Sequence, residues 1–287
     1  MVEKKFVDVE KVLNDKAPSL KKWMPRFVLN WVKRKLHEDE LNSIMFELKD
    51  SFGLEFNSKG LDKFGVNIVS VHPEYVPQTG GIIIAANHPL GGLDGMALIK
   101  AVGEIRPDVR FFVNDVLQNV KNYGDVFVGI NKIGSTSATS LRVMENVFLS
   151  PAAVLFFPAG LVSRKQKGLI RDLEWKKSFV TQAIDHGRMI VPVFIEGQNS
   201  NFFYRFANFR KRIGIKANIE MLLLPDEMFK QKGHTVKINF GKPFDSAILD
   251  GSKPHRAWAT QIKKYVYSEE FVRGVTFEEY IQMHPHK

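Results

Sequence analysis

From Val66 onward, short apolar runs alternate with helical segments, and this alternation constrains the fold more than any other feature of the chain. The runs are Asn67–Val71, Gly81–Ala86, Val109–Val113, Val126–Ile130, Ala153–Phe157, Met189–Ile195 and Val236–Phe240. All are strand-length and too short for buried helices. Helices fit between several of them, at Gly95–Val102, Ser137–Leu149 and Glu174–His186. A strand that rejoins its sheet through a helical crossover runs parallel to its neighbour. The pattern therefore predicts an α/β fold: a mixed, largely parallel sheet flanked by helices.

An N-terminal helical pair leads into this sheet. Between Leu20 and Leu36, the residues Leu20, Trp23, Met24, Phe27, Val28, Trp31 and Val32 share one face at helical spacing. Lys21 to Lys35 holds six bases and no acid. A second amphipathic helix is expected over Glu38–Leu54. The division predicted is residues 1–60 as amphipathic helices, 61–250 as the α/β domain and 251–287 as a helical tail carrying Trp258, Ile262, Tyr265 and Val266. Two tryptophans with six bases make Leu20–Leu36 a candidate membrane-contact helix, or a core helix with its lysines in water. Asn201 to Lys232 interrupts the alternation with aromatics and bases, including Phe202, Phe209, Arg205 and Lys216, and Phe202–Lys216 is a second candidate lipid surface beside the N-terminal helices.

The net charge of +10 favours anionic partners. With no cysteine, thiolate nucleophiles and Cys-ligated zinc are excluded. No apolar run approaches the ~20 residues of a spanning helix, and no signal peptide is recognised, so a cytoplasmic protein is expected. The eight histidines are scattered, and no metal site or cofactor is expected.

Chemistry concentrates in Ala85-Ala86-Asn87-His88-Pro89-Leu90-Gly91-Gly92-Leu93-Asp94-Gly95, directly after an apolar strand. An imidazole and a carboxylate at a strand end can make a hydroxyl nucleophilic, the imidazole taking its proton and the carboxylate fixing the tautomer. Gly91 and Gly92 permit positive φ, so the loop can return Asp94 to the ring. No serine or cysteine nucleophile accompanies the pair, so the hydroxyl should belong to a substrate. The plainer reading is a surface histidine and an aspartate capping the next helix. Arg164 and Ser163 follow a Pro-Ala-Gly turn, where an arginine can hold a carboxylate or phosphate with two parallel bonds, or be a solvated loop residue. Asn131 and Lys132 follow another strand and are further candidates for anion binding, or an ordinary turn.

The Asn-His-Pro…Asp element resembles the first motif of the glycerolipid acyltransferase family typified by 1-acylglycerol-3-phosphate acyltransferase. Phe156-Phe157-Pro158-Ala159-Gly160-Leu161-Val162-Ser163-Arg164 resembles its Phe-Pro-Glu-Gly-Thr-Arg motif, and Val191-Pro192-Val193 its later Val-Pro-Val element. Val128-Gly129-Ile130-Asn131-Lys132 is similar to its second motif, which normally has an arginine. Two departures, five residues between His88 and Asp94 rather than four and Ala159 in place of the usual glutamate, look like a hemolysin-like bacterial branch. That branch includes enzymes that esterify the hydroxyl of lyso-ornithine or lyso-glycine lipids.

The resemblance implies an O-acyltransferase of membrane lipid biosynthesis. His88 would be the base and Asp94 its orienting partner, with Arg164, Ser163, Asn131 and Lys132 toward the substrate. Backbone N–H groups near the His88 loop would hold the oxyanion. The donor would be an acyl carrier protein or acyl-coenzyme A thioester, with no other cofactor. The acceptor would be a lyso-lipid, probed at the inner leaflet of the cytoplasmic membrane by a peripherally attached enzyme, with no nucleic-acid partner. Other readings are a 1-acylglycerol-3-phosphate acyltransferase, a hydrolase using the same pair, and a non-enzymatic basic peripheral membrane protein.

Overall fold

A computed structural model describes residues 5–16, 21–22, 24–113, 117–129 and 138–285. Its centre is a seven-stranded sheet. The strands are β1 (Asn67–Val71), β2 (Ile82–Ala86), β3 (Val109–Val113), β4 (Phe127–Gly129), β5 (Ala153–Phe156), β8 (Met189–Ile195) and β9 (Thr235–Phe240), while β6 (Arg164–Gln166) and β7 (Leu169–Arg171) form a separate hairpin. The spatial order is β1-β9-β8-β2-β5-β3-β4. β8, β2, β5, β3 and β4 run parallel to one another. β9 is antiparallel to β8 and parallel to β1, so the outer pair is reversed. Each apolar run of the sequence became a strand, and the sheet is mixed and largely parallel, as the alternation predicted.

The helices are α1 (Val9–Lys16), α2 (Arg26–Lys35), α3 (Glu38–Glu47), α4 (Gly53–Phe64), α5 (Gly92–Gly103), α6 (Ala138–Leu149), α7 (Ser178–Asp185), α8 (Asn201–Arg212), α9 (Leu224–Phe229), α10 (His255–Val266), α11 (Glu269–Val272) and α12 (Phe277–Met283). They cover both faces of the sheet. β2 shows how: Ile82, Ile84 and Ala86 pack toward Phe56, Leu61 and Phe64 of α4 and Leu98 of α5. Its intervening residues Ile83 and Ala85 pack toward Phe179 of α7, Ile262 of α10 and Phe277 of α12. A strand that is apolar at every position is what a two-faced interior requires.

The N-terminal helices differ from their expected extents. The helix expected over Glu38–Leu54 is two, α3 and α4. Between them the chain turns through Lys49–Phe52, and Gly53 takes a left-handed φ of 57°. In the stretch expected as one helix over Leu20–Leu36, Lys21 and Lys22 are helical, Met24 and Pro25 are not, and a helix runs over Arg26–Lys35 from Pro25, whose fixed φ suits a helix entry. Leu20 and Trp23 lie outside the described residues. No residue of α2 is buried; Phe27 is 74% and Trp31 46% exposed.

The hairpin was not expected. Lys167 and Gly168 both have positive φ, 48° and 84°, which is the backbone of a two-residue type I′ turn. Its register pairs Arg164 with Arg171, so the residues just outside, Ser163 and Asp172, come face to face.

Candidate active site

β2 ends at Ala86 and the site begins one residue later. Asn87 continues the ladder with its side chain, donating from Nδ2 to the Ile195 carbonyl at 3.0 Å and accepting the Ile195 N–H on Oδ1 at 2.6 Å. It thus anchors the His88 loop to the end of β8. Asn199 holds the other limb, donating to the Pro89 carbonyl at 3.1 Å. The Asn199 N–H donates to the Tyr204 hydroxyl at 3.0 Å, and burial pushes that phenol up to about 12.

Gly91 reverses the chain at φ 82°, ψ −130°, a conformation that an L side chain avoids. A Cβ there would also stand 3.0 Å from the Leu224 side chain. The reversal starts α5 at Gly92 and sets Asp94 in its first turn. Asp94 Oδ2 then lies 2.9 Å from His88 Nδ1 and also accepts the N–H groups of Leu90 at 2.7 Å and Gly91 at 2.9 Å. Asp94 is thus not the N-cap of the plainer reading, which is Gly91; it sits at the third position of α5, where one carboxylate oxygen holds both the N-cap amide and the imidazole. Gly92 is helical, so only one of the two glycines needs its freedom.

Asp94 is fully buried, and Oδ1 has no hydrogen-bond partner among the described residues. Burial pushes the carboxyl up, opposed by the imidazole and the two amides. With Nδ1 engaged by the carboxylate, the proton-accepting position of neutral His88 is Nε2. The ring is 17% exposed and stacks on Phe157, centroids 4.3 Å apart and planes 17° apart. Phe157 meets Phe111 edge-on at 5.6 Å.

The main chain of His88 is gripped from the far side. Asp172 Oδ1 accepts the His88 N–H at 3.1 Å and the Ser163 hydroxyl at 2.6 Å; Oδ2 accepts the Trp175 indole N–H at 2.8 Å. The Ser163 N–H donates to the His88 carbonyl at 2.8 Å. The hairpin register that opposes Ser163 and Asp172 builds this clamp. Such a buried carboxylate, satisfied on both oxygens, fixes backbone at little cost.

These bonds change the roles assigned to two groups. Ser163 is 1% exposed and its hydroxyl is committed to Asp172, so the side chain is placed in the wall and not toward a substrate. The amides of His88, Leu90 and Gly91, expected among the oxyanion donors, are already occupied by Asp172 and Asp94. Asn131 and Lys132 lie outside the described residues.

Arg164 is also turned inward. Its Nη2 donates to Glu220 Oε1 at 2.7 Å, Nη1 to the Val162 carbonyl at 2.6 Å, and its guanidinium lies over the Phe203 ring. Arg210 approaches the same carboxylate, Nε 2.7 Å from Glu220 Oε2. Glu220 is fully buried between the two bases. One edge of Arg164 still lines a cavity of about 470 Å³, shared with Arg210, Lys211, Lys216, Asn208 and Asn218. Ala159, the position without the usual glutamate, is buried among apolar side chains around Trp175 and Phe179.

The arrangement is a buried carboxylate and an oriented imidazole, with no protein nucleophile bonded to the imidazole among the described residues. A family model described as acyltransferase matches residues 11–273. The chain belongs to the acyltransferase family. It is therefore an enzyme that transfers acyl groups, which removes the non-enzymatic reading. A lyso-glycine lipid O-acyltransferase of Bacteroides thetaiotaomicron is 41% identical over 263 residues, covering 91% of this chain and 97% of the relative. Another of the same description, from Phocaeicola vulgatus, is 40% identical, covering 91% and 94%. A probable 1-acyl-sn-glycerol-3-phosphate acyltransferase of Mycoplasma pneumoniae is 27% identical over 190 residues, 63% of each chain. Among the described residues of this acyltransferase, no helix is long and apolar enough to cross a membrane.

The acyltransferase motifs explain what the sequence made visible. His88 and Asp94 are six residues apart and signal each other directly. Asp172, Asn199 and Glu220 were missed. Each acts on a segment far away in sequence, and only the Lys167-Gly168 turn hinted that Asp172 returns to Ser163.

Proposed function

We propose that this acyltransferase moves a fatty acyl group from an acyl thioester to the hydroxyl of a lyso-glycine lipid, completing a diacylated membrane lipid. The observation that carries this reading is the near-full-length identity with two lyso-glycine lipid O-acyltransferases, 41% and 40%. The donor is an acyl carrier protein or acyl-coenzyme A thioester, used as co-substrate with no bound cofactor.

The site supports a direct transfer. His88 Nε2 takes the proton of the acceptor hydroxyl while Asp94 Oδ2 holds Nδ1–H. The resulting alkoxide attacks the thioester carbonyl, and the tetrahedral intermediate collapses to expel the thiolate. The proton held on His88 passes to that thiolate, so the enzyme is restored and the products are an ester and a free thiol. Asp172 keeps the imidazole in place through its main chain and does not touch the substrates. The enzyme works at the inner face of the cytoplasmic membrane, where such an acceptor resides.

Purified enzyme should be given an N-(3-hydroxyacyl)glycine and an acyl thioester, with products read by mass spectrometry. A diacylated glycine lipid is expected, and no product with His88→Ala. Exclusive use of 1-acylglycerol-3-phosphate would instead favour the acceptor of the more distant relative. Release of free fatty acid without an acceptor would mark a hydrolase.

A further inference from the structure

The stretch from Gly197 to Ile219 contains no acidic residue, and α8 occupies its middle. α8 is amphipathic in an unusual sense. One face is core: Phe203, Tyr204 and Ala207 are buried, and Arg210 turns in to Glu220. The face beside it is also apolar, and Arg205 and Arg212 lie on the side away from the core. Phe202, Phe209 and Ile213 are 54%, 57% and 53% exposed, and Phe206 stacks with Phe202 at 6.1 Å. Ile215 adds to this patch beyond the helix end. Exposed bases, Arg205, Lys211, Arg212 and Lys216, surround the aromatics, and none has an ion pair among the described residues.

A polar helix face usually meets water, and isolated exposed apolar residues need no explanation. A repeated stripe of large aromatics flanked by unpaired bases is different: it is the composition of a helix that lies in a lipid interface. The cavity beneath supplies a second observation. Lys211 and Lys216 belong both to the exposed rim and to its lining, with Arg164 and Arg210 deeper. Two guanidinium groups share the single carboxylate of Glu220, and among the described residues no acid lines the cavity itself. It is electropositive and sized for an anionic head group, beside a stripe suited to acyl chains.

We infer that α8 and the turn through Lys216 form the face by which the enzyme docks on an anionic bilayer, seating a lipid head group in the Arg164–Arg210 cavity. α2 also exposes aromatics, but its bases are partly spent. Lys33 and Lys21 pair with Glu10, and Lys35 pairs with Asp226. The bases around α8 remain available for lipid. An acyl carrier protein would match the charge but offers no interior for Phe202, Phe209 and Ile213. The inference rests on the acceptor being a bilayer lipid, as proposed above.

The full-length enzyme should be sedimented with vesicles of phosphatidylcholine alone and of phosphatidylcholine with phosphatidylglycerol. Binding is expected only to the second, weakening as salt is raised. Phe202→Ser/Phe209→Ser should lower that binding at least roughly tenfold, since two aromatic side chains lose their transfer to the interface. Arg205→Glu/Arg212→Glu, lying outside the cavity and the core, should do the same and serves should the first pair fold poorly. Both variants should keep wild-type turnover of acceptor dispersed in detergent. Wild-type binding by both variants would overturn the docking face, as would loss of binding in Phe27→Ser/Trp31→Ser alone. So would capture of acyl carrier protein, rather than vesicles, that these substitutions abolish. Sedimentation needs no turnover. Failure to acylate the glycine lipid therefore counts against the proposed acceptor, whereas loss of sedimentation in the variants still supports the docking face.

Discussion

The main-chain N–H of His88 donates to Asp172 Oδ1 at 3.1 Å, across 84 residues of sequence. The proposed base is thus held twice, by Asp94 at its ring and by Asp172 at its backbone. The two grips fail in different ways. Losing the first changes which nitrogen carries the proton; losing the second moves a correctly protonated ring.

Asp172→Ala should lower kcat more than it raises KM, because it displaces the base without touching a substrate. It also strands the indole N–H of Trp175 and the His88 amide, each costing about 1–3 kcal/mol when buried unpaired. Ser163→Ala removes one donor and leaves the carboxylate its others, so it should cost about 1 kcal/mol and little activity. Urea denaturation with steady-state kinetics on both variants distinguishes a positioning role from mere loss of fold, which would leave the kcat of the folded fraction unchanged.

Asp94→Asn should remove activity by roughly 10⁴-fold, as when the tautomer-fixing carboxylate of a serine protease is amidated. Its effect on stability should have the opposite sign. Burial raises the Asp94 pKa above its unfolded value, so the contribution of its protonation to stability is complete below the unfolded pKa of about 4. That contribution is lost as pH rises through the folded pKa. The asparagine does not titrate. The melting temperature of the variant relative to wild type should therefore climb between acid and neutral pH. A difference, variant minus wild type, that falls over the same range would show that the imidazole and amides outweigh burial.

Glu220→Gln should destabilise the protein by about 3–5 kcal/mol, since it leaves Arg164 and Arg210 facing each other without their carboxylate. Chemical denaturation measures this. Equal stability of variant and wild type would mean that water or lipid already neutralises the two guanidinium groups.

Gly91→Ala should combine a disfavoured φ of 82° with a contact to Leu224 at 3.0 Å. A cost of about 1–3 kcal/mol is expected for such a backbone. Activity should fall further than stability, because the same turn carries Asp94 to the ring. Gly92→Ala, at a helical φ with open space around it, is the matched control and should be mild.

These predictions separate what the sequence revealed from what it hid. β2 and β8 were legible because strands buried on both faces are apolar at every position. The His88–Asp94 contact was legible because a single loop closes it. Glu38–Leu54 was misread as one helix because apolar spacing continues through Leu48 and Phe52 while the backbone turns at Gly53. Arg164 was assigned outward by its place after a turn, yet its partner Glu220 lies 56 residues on, in a segment with no pattern of its own. Side chains that act across the sheet leave no local periodicity to read.

The stacking of His88 on Phe157 has a kinetic meaning. An unconstrained surface imidazole reorients on the picosecond to nanosecond scale, so an arriving hydroxyl would meet either edge of the ring. Here the Asp94 bond fixes the ring in its own plane and Phe157 blocks one side of any flip. Each encounter with an acceptor then meets the same basic edge, and the rotational search that would otherwise precede proton transfer was completed when the chain folded.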